Sequence, residues 1–226
     1  MIDRIVHSVN GVTLLGGGEA TKAGVCEALA HAPTLVAADG GASFALKIGE
    51  MPKAVIGDFD SIDAKTRAAL APEICHPIVE QDSTDFEKCL LRCEAPLFLG
   101  VGFMGLRRDH ELAAFNVLVR YPEKRCVLIG AEDIVFAAPK RLWIDVELGM
   151  RVSLFPMAPV QGRSTGLKWP IDGLALAPNG KTATSNEALG AVELHFDQPG
   201  ALVIMPRVAL KPAIDALAAS SGFRER

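Results

Sequence analysis

Short apolar runs of four to six residues recur through the first 129 residues, at 12–15, 34–38, 54–57, 74–79, 97–101 and 125–129. Between them lie stretches whose apolar positions repeat at helical spacing, at 22–31, 43–48, 62–70, 84–93 and 109–121, the last stopped by Pro122. Such alternation predicts a mostly parallel sheet with flanking helices. Ser61 and Ser83 are the candidate N-caps of the third and fourth helices. From about residue 131 the helical spacing ends. Short alternating runs follow at 134–137, 141–146, 151–155, 173–176, 191–196 and 201–205, punctuated by Gly and Pro. That pattern predicts an antiparallel sandwich or partial barrel. The expected fold is therefore α/β, an N-terminal mostly parallel sheet with helices followed by a C-terminal antiparallel β-sandwich. The boundary falls between Gly130 and Pro139, giving domains 1–132 and 133–226. Residues 208–226 read as a short amphipathic helix with a frayed end.

Polar chemistry collects where the strands stop. Gly16-Gly17-Gly18 follows the first run, Asp39-Gly40-Gly41-Ala42 the second, and Gly57-Asp58-Phe59-Asp60-Ser61 the third. One such turn is ordinary; three in 61 residues suggest a single polar, glycine-lined site, because ligands of open α/β sheets bind at the carboxyl ends of strands. If the chain stays extended past Gly57, Asp58 and Asp60 point the same way and Phe59 points into the core. A second acidic stretch, Gln81-Asp82-Ser83-Thr84-Asp85-Phe86-Glu87-Lys88, opens the fourth helix and places Asp85 and Lys88 on one face. An ion pair with a capping role would look the same. Both stretches fit one divalent cation and a nucleoside triphosphate. In the turn 102–110, two glycines precede Arg107, Arg108, Asp109 and His110, and guanidinium groups fork well onto phosphate oxygens.

The 226 residues are half hydrophobic, enough for a sizeable core, and the net charge of −4 argues against nucleic acid as the main partner. No apolar run approaches the roughly 20 residues of a membrane helix. The first ten residues have no signal-peptide core, so a cytoplasmic location is expected. The five cysteines form no C-x-x-C pair and read as buried thiols, and the five histidines have no zinc spacing. Two stretches of the C-terminal part stand out: Gly166-Leu167-Lys168-Trp169-Pro170, a large aromatic in an expected loop, and Ser185-Asn186-Glu187, an expected turn before the run at 191.

Together these stretches resemble the thiamin pyrophosphokinase family. The resemblance rests on seven motifs in order over about residues 12–205: the glycine turn at 16–18, A-D-G-G-A, G-D-F-D-S, Q-D-S-T-D-F-x-K, the turn at 102–110, G-L-K-W-P and S-N-E. The family's G-x-x-G-G-R-x-D-H turn carries a second glycine where this chain has Leu106, which costs backbone freedom and alters how Arg107 would reach phosphate. The tail beyond Met205 is longer than the family pattern.

The resemblance implies a nucleotide-binding domain followed by a thiamin-binding β-sandwich, and a homodimer with the active site between subunits. The implied reaction is thiamin plus ATP giving thiamin diphosphate and AMP, with Mg²⁺. Asp58, Asp60 and Asp85 are the expected metal ligands, with Asp39 helping from the neighbouring strand end. Gln81 and Asp82 would orient phosphate or the attacking hydroxyl. Gly17, Gly18, Gly40 and Gly41 would approach ATP through their amides, and Lys88, Arg107, Asp109 and His110 would complete its site. Trp169 would stack on thiamin, and Ser185 and Asn186 would bond its aminopyrimidine edge. Two other readings stay open: a Mg-dependent pyrophosphokinase for another heterocyclic alcohol such as a hydroxymethyl pterin, and a non-catalytic thiamin or nucleotide sensor.

Overall fold

A computed structural model describes residues 3–223; the end of the predicted tail, 224–226, lies outside the described residues. The chain divides into two compact units, one of residues 1–114 and 128–131, the other of residues 115–127 and 132–226. The elements in chain order are β1 (Val6–His7), β2 (Val12–Leu15), α1 (Lys22–His31), β3 (Thr34–Ala38), α2 (Gly41–Ile48), β4 (Ala54–Gly57) and α3 (Ala64–Ala69). Next come β5 (Cys75–Pro77), α4 (Asp85–Arg92), β6 (Cys93–Glu94), β7 (Phe98–Val101), α5 (Arg108–Arg120) and β8 (Cys126–Ile129). The remainder holds β9 (Asp133–Ala137), β10 (Arg141–Ile144), β11 (Arg151–Pro156), β12 (Gly162–Leu167), β13 (Ala183–Phe196), β14 (Ala201–Pro206) and α6 (Leu210–Ala219).

In the first unit β7, β2, β3, β4 and β5 lie side by side, and all are parallel. β2, β4 and β7 are buried at every residue, which is why they read as unbroken apolar runs. The chain moves outward from β2 through β3, β4 and β5, then returns to β7 on the other flank of β2. In open α/β sheets, ligands bind beside such a reversal, at the carboxyl ends of the strands. Side-chain caps start the helices: Thr21 accepts from the Gly24 N–H, Asp63 from the Thr66 N–H and Thr84 from the Glu87 N–H. The caps of α3 and α4 are thus Asp63 and Thr84, not the serines expected at 61 and 83. The aspartate at 63 accepts from both the amide and the hydroxyl of Thr66, at 2.8 and 2.9 Å. The expected strand at 74–79 is shorter: a 3-10 turn at Pro72–Ile74 precedes β5, and Pro77, which has no N–H to give a ladder, ends it.

The second unit is antiparallel. β13 pairs with β11 through its first residues, and β11, β14 and β9 continue that sheet. The later part of β13 pairs with β10 on one side and β12 on the other. One strand serving two sheets is how a sandwich turns its corners. Ser185-Asn186-Glu187 therefore lies inside a strand of 14 residues rather than in a turn before it. The run at 173–176 gives only a bridge at Leu176, and the first two residues of the expected loop 166–170, Gly166 and Leu167, belong to β12 (Gly162–Leu167). α6 lays its buried residues Leu210, Ala213, Ala216 and Leu217 inward. Among the described residues no helix is long and apolar enough to cross a membrane.

Candidate active site

The N-terminal site is built from main chain before side chains enter it. β2 ends just before Gly16, and its paired neighbour β7 ends just before Gly102. Gly16 donates to the Val101 carbonyl at 2.8 Å and Gly18 to the Gly102 carbonyl at 2.9 Å. A Cβ on Gly16 or Gly18 would lie 2.5 or 2.6 Å from the Gly102 oxygen. The first and third glycines of the turn are thus required for two backbones to touch, and the Gly18 amide is occupied. A Cβ on Gly17 would meet nothing closer than 3.6 Å. Gly41 opens α2 with its Cα against β2, where a Cβ would fall 2.0 Å from the Leu15 oxygen.

Asp39 leaves β3 with φ of 41°, a left-handed conformation that aspartate tolerates better than most residues. Its side chain is 2% exposed. One carboxylate oxygen accepts from the Ser61 N–H at 3.2 Å, and the other, Oδ1, has no hydrogen-bond partner. Burial pushes the Asp39 carboxyl above the usual range, and bonding from Ser61 pulls it back. Past β4 the chain does not stay extended: Phe59 has φ of 67°. The left-handed turn still leaves Phe59 packed on the cluster of Ala37, Ala42, Val55 and Leu70, with the Arg67 guanidinium 4.7 Å above its ring. It also folds Asp58 back, so that Oδ1 accepts from the Asp60 N–H at 3.3 Å. Oxygens of Asp39, Asp58 and Asp60 consequently lie within 4.8 Å of one another, an oxygen-only group that suits a hard divalent cation. The unpartnered, buried Oδ1 of Asp39 fits the same conclusion, since an uncompensated buried carboxylate oxygen is costly.

Asp85 lies outside that trio and faces Lys88, whose ammonium is 3.4 Å from Asp85 Oδ1 and 3.9 Å from Asp58 Oδ2. Lys88 is only 2% exposed, so its charge sits in a protein environment rather than in water. Burial raises the Asp85 carboxyl, Lys88 lowers it, and Asp58 and Asp60 raise it again. Gln81 donates to Asp58 Oδ2 at 3.2 Å, and that bond is the chief reason the Asp58 carboxyl is held low. Asp82 gives its N–H to Glu80 at 2.8 Å, and its own carboxylate is exposed. Glu80 was not singled out by sequence, yet it closes the loop: its carboxylate also accepts the Ser83 N–H and hydroxyl. A Glu three residues before a serine was the available signal.

In the turn 102–107, Gly102, Gly105 and Leu106 all have positive φ, at 80°, 79° and 51°. Leu106 therefore stands in a left-handed position with its side chain 75% exposed. Arg107 is paired with Asp109 at 2.6 Å, which holds the Asp109 carboxyl down to about 2. Arg108 is paired with Glu111 at 2.7 Å, and His110 is exposed.

In the second unit Trp169 is 55% exposed and carries the Lys168 ammonium 5.0 Å from its ring centroid. Asn186 is buried, and its amide binds the main chain of Trp169: Oδ1 accepts from the Trp169 N–H at 3.1 Å, and Nδ2 donates to the Trp169 carbonyl at 2.6 Å. Ser185 is left-handed, with φ of 58°; its N–H goes to the Ser153 hydroxyl at 2.9 Å and its side chain is exposed.

An acidic trio at the carboxyl ends of parallel strands, flanked by a buried lysine and two interlocked glycine turns, could hold a divalent cation and a polyphosphate. Comparisons with known proteins give the family. Residues 25–129 match the model for the thiamin pyrophosphokinase catalytic domain, and residues 142–200 match that for the thiamin pyrophosphokinase vitamin B1 binding domain. Thiamine pyrophosphokinase 1 of Oryza sativa subsp. japonica is 30% identical over 154 residues, 60% of this chain and 58% of its own length. Thiamine pyrophosphokinase 1 of Arabidopsis thaliana is 27% identical over 190 residues, 69% of this chain and 71% of its own. In fold, the thiamine pyrophosphokinase of Bacillus subtilis superposes with a TM-score of 0.71 at 22% identity, covering 87% of this chain and 98% of that one. The yeast enzyme gives 0.72 at 17% identity, covering 95% of each. The chain belongs to the thiamin pyrophosphokinase family.

Proposed function

We propose that this chain transfers the diphosphoryl group of ATP to the hydroxyl of thiamin, giving thiamin diphosphate and AMP, with Mg²⁺. The observation that carries the reading is the buried, unpartnered Oδ1 of Asp39 beside Asp58 and Asp60, in the unit matched by the catalytic-domain model. In the transfer the thiamin oxygen bonds to the β-phosphorus. The bond from that phosphorus to the oxygen bridging it to the α-phosphorus breaks, and the oxygen leaves with AMP. The hydroxyl proton passes to a carboxylate of the acidic group or to water. Such a step asks mostly for alignment and charge compensation.

Asp39, Asp58 and Asp60 would hold the cation, with Asp85 reaching it directly or through water. The cation when bound would neutralise triphosphate charge. Lys88 adds a buried positive charge to the same end, and Gln81 fixes the carboxylate of Asp58. Asp82 would orient phosphate or the attacking hydroxyl. The exposed Gly17, with Gly40 and Gly41 at the start of α2, offers close backbone approach for ATP. Arg107 and His110 complete that site, with Arg107 exchanging Asp109 for phosphate. Trp169 would stack on the thiamin rings, and the exposed Ser185 would bond the aminopyrimidine edge. Residues 1–132 thus serve the nucleotide and 133–226 thiamin, and the family resemblance supports a homodimer with the active site between subunits.

A product assay tests this. Purified protein with ATP, Mg²⁺ and thiamin is expected to yield AMP and thiamin diphosphate in equal amounts. ADP with thiamin monophosphate, or no turnover with thiamin bound, would overturn it.

A further inference from the structure

Trp169 is exposed at its ring but tethered at its main chain. Asn186, 4% exposed, contributes both tethers: its Oδ1 accepts from the Trp169 N–H and its Nδ2 donates to the Trp169 carbonyl. Oδ1 also accepts from the Glu187 N–H at 2.9 Å. Three of the four hydrogen bonds a primary amide can make are thereby used inside the protein. Binding both main-chain groups of one residue repeats, with a side chain, the paired exchange that two strands make across an antiparallel ladder.

The strand is shaped to deliver this amide. Between Val152 and Leu154 the β11–β13 register shifts, and the left-handed Ser185 lies in the irregular stretch of β13. Irregularities of this kind re-aim a side chain. The rest of the loop is fastened as well. The Lys168 N–H reaches the Glu187 carbonyl at 2.9 Å, the Ile171 N–H reaches the Ser164 hydroxyl at 3.0 Å, and the Ser164 N–H reaches Asp172 at 3.1 Å. A stacking platform contributes most when its ring is already fixed, since less freedom is lost on binding.

We propose that Asn186 is a positioning residue: it acts on the heteroaromatic substrate by fixing Trp169, not by touching the substrate. This rests on the thiamin reading above.

The test is a double-mutant cycle with a spectroscopic arm. Trp143 is the other of the two tryptophans, so Trp143→Phe leaves Trp169 as the sole tryptophan, read by excitation at the red edge where tyrosine does not absorb. In that background Asn186→Ala is expected to lower the steady-state anisotropy of Trp169 and raise its quenching by acrylamide. It is expected to raise the KM for thiamin roughly tenfold, within what an aromatic platform contributes per stacked base, while the KM for ATP stays within about twofold. In a Trp169→Ala background the same change is expected to add less than about twofold, because the residue it works through is gone. Additive effects would mean direct contact with the substrate and would overturn the proposal, as would an unchanged anisotropy. If Asn186→Ala does not fold, the near-isosteric Asn186→Asp sets a carboxylate oxygen against the Trp169 carbonyl and should give the same pattern. A wild-type protein that neither binds nor turns over thiamin would overturn the function and the substrate half of this proposal. The anisotropy comparison would still decide whether Asn186 holds the ring.

Discussion

Replacing Asp39 by Asn should change the sign of its effect on stability according to whether a divalent cation is present. Without metal, Asp39 is a buried carboxylate with one unpartnered oxygen, and Asp58 and Asp60 lie within 4.8 Å. Two like charges at that distance repel by about 1–3 kcal/mol for an effective dielectric between roughly 80 and 20. The partly exposed Asp58 favours a middle value of about 2 kcal/mol. An asparagine side chain keeps an acceptor for the Ser61 N–H and replaces the lone oxygen with an NH₂ that can donate to its carboxylate neighbours. The Asp39→Asn variant in EDTA should therefore melt higher than the wild type, by roughly 4–8 °C for a chain of this length. Mg²⁺ at a hundred times its Kd should stabilise the wild type by about 2.7 kcal/mol, and the variant should lose most of that response. The pH dependence follows. The folded value of Asp39 is raised, so its contribution is present at low pH and lost as pH rises through that value. Asp58 has the opposite sign: held low by Gln81, it stabilises above its unfolded value and loses this as pH falls. Calorimetry at pH 7 with EDTA and with Mg²⁺ is the assay. A lower melting point for the variant in EDTA would show that the trio is not a repulsive cluster awaiting a cation.

Three further changes test other parts of the site. Lys88→Met removes a buried ammonium from between Asp85 and Asp58 and should cut kcat/KM for ATP by about a hundredfold or more; steady-state kinetics with ATP varied checks this. Gly41→Ala drives a Cβ to 2.0 Å from the Leu15 carbonyl, backbone against backbone, and should cost about 3 kcal/mol or more, read as a fall in urea midpoint. Leu106→Gly relieves a left-handed leucine but loosens the unfolded chain, so stability should move by less than about 1 kcal/mol. A large loss would mean the exposed leucine side chain packs against something.

The parallel half of the fold was legible because strands buried on both faces, such as β2 and β4, carry an unbroken apolar signal. Strands of two residues, β1 and β6, carry none: two residues cannot show a period. The 14 residues of β13 were divided by polar Ser185-Asn186 and by Gly190, which read as punctuation, because one strand can change sheets without its sequence announcing it. The acidic residues were legible as a group, but their arrangement was not. The extended geometry expected for Asp58-Phe59-Asp60 gave way to a left-handed Phe59, a conformation that sequence disfavours and surrounding packing imposes. Nor does spacing show that Asp39 is buried with a spare oxygen or that Asn186 is spent on main chain.

The interlocked turns after β2 and β7 also bear on how the molecule comes to exist. Residues 16 and 18 find their partners at 101 and 102, more than 80 positions along the chain. Closing so long a loop costs entropy before any contact rewards it, and contacts of this kind slow folding. During synthesis the first glycine turn emerges from the ribosome long before β7, and until β7 docks it has no template. The backbone geometry of residues 16–18 is therefore set only once residues 101 and 102 have docked beside them.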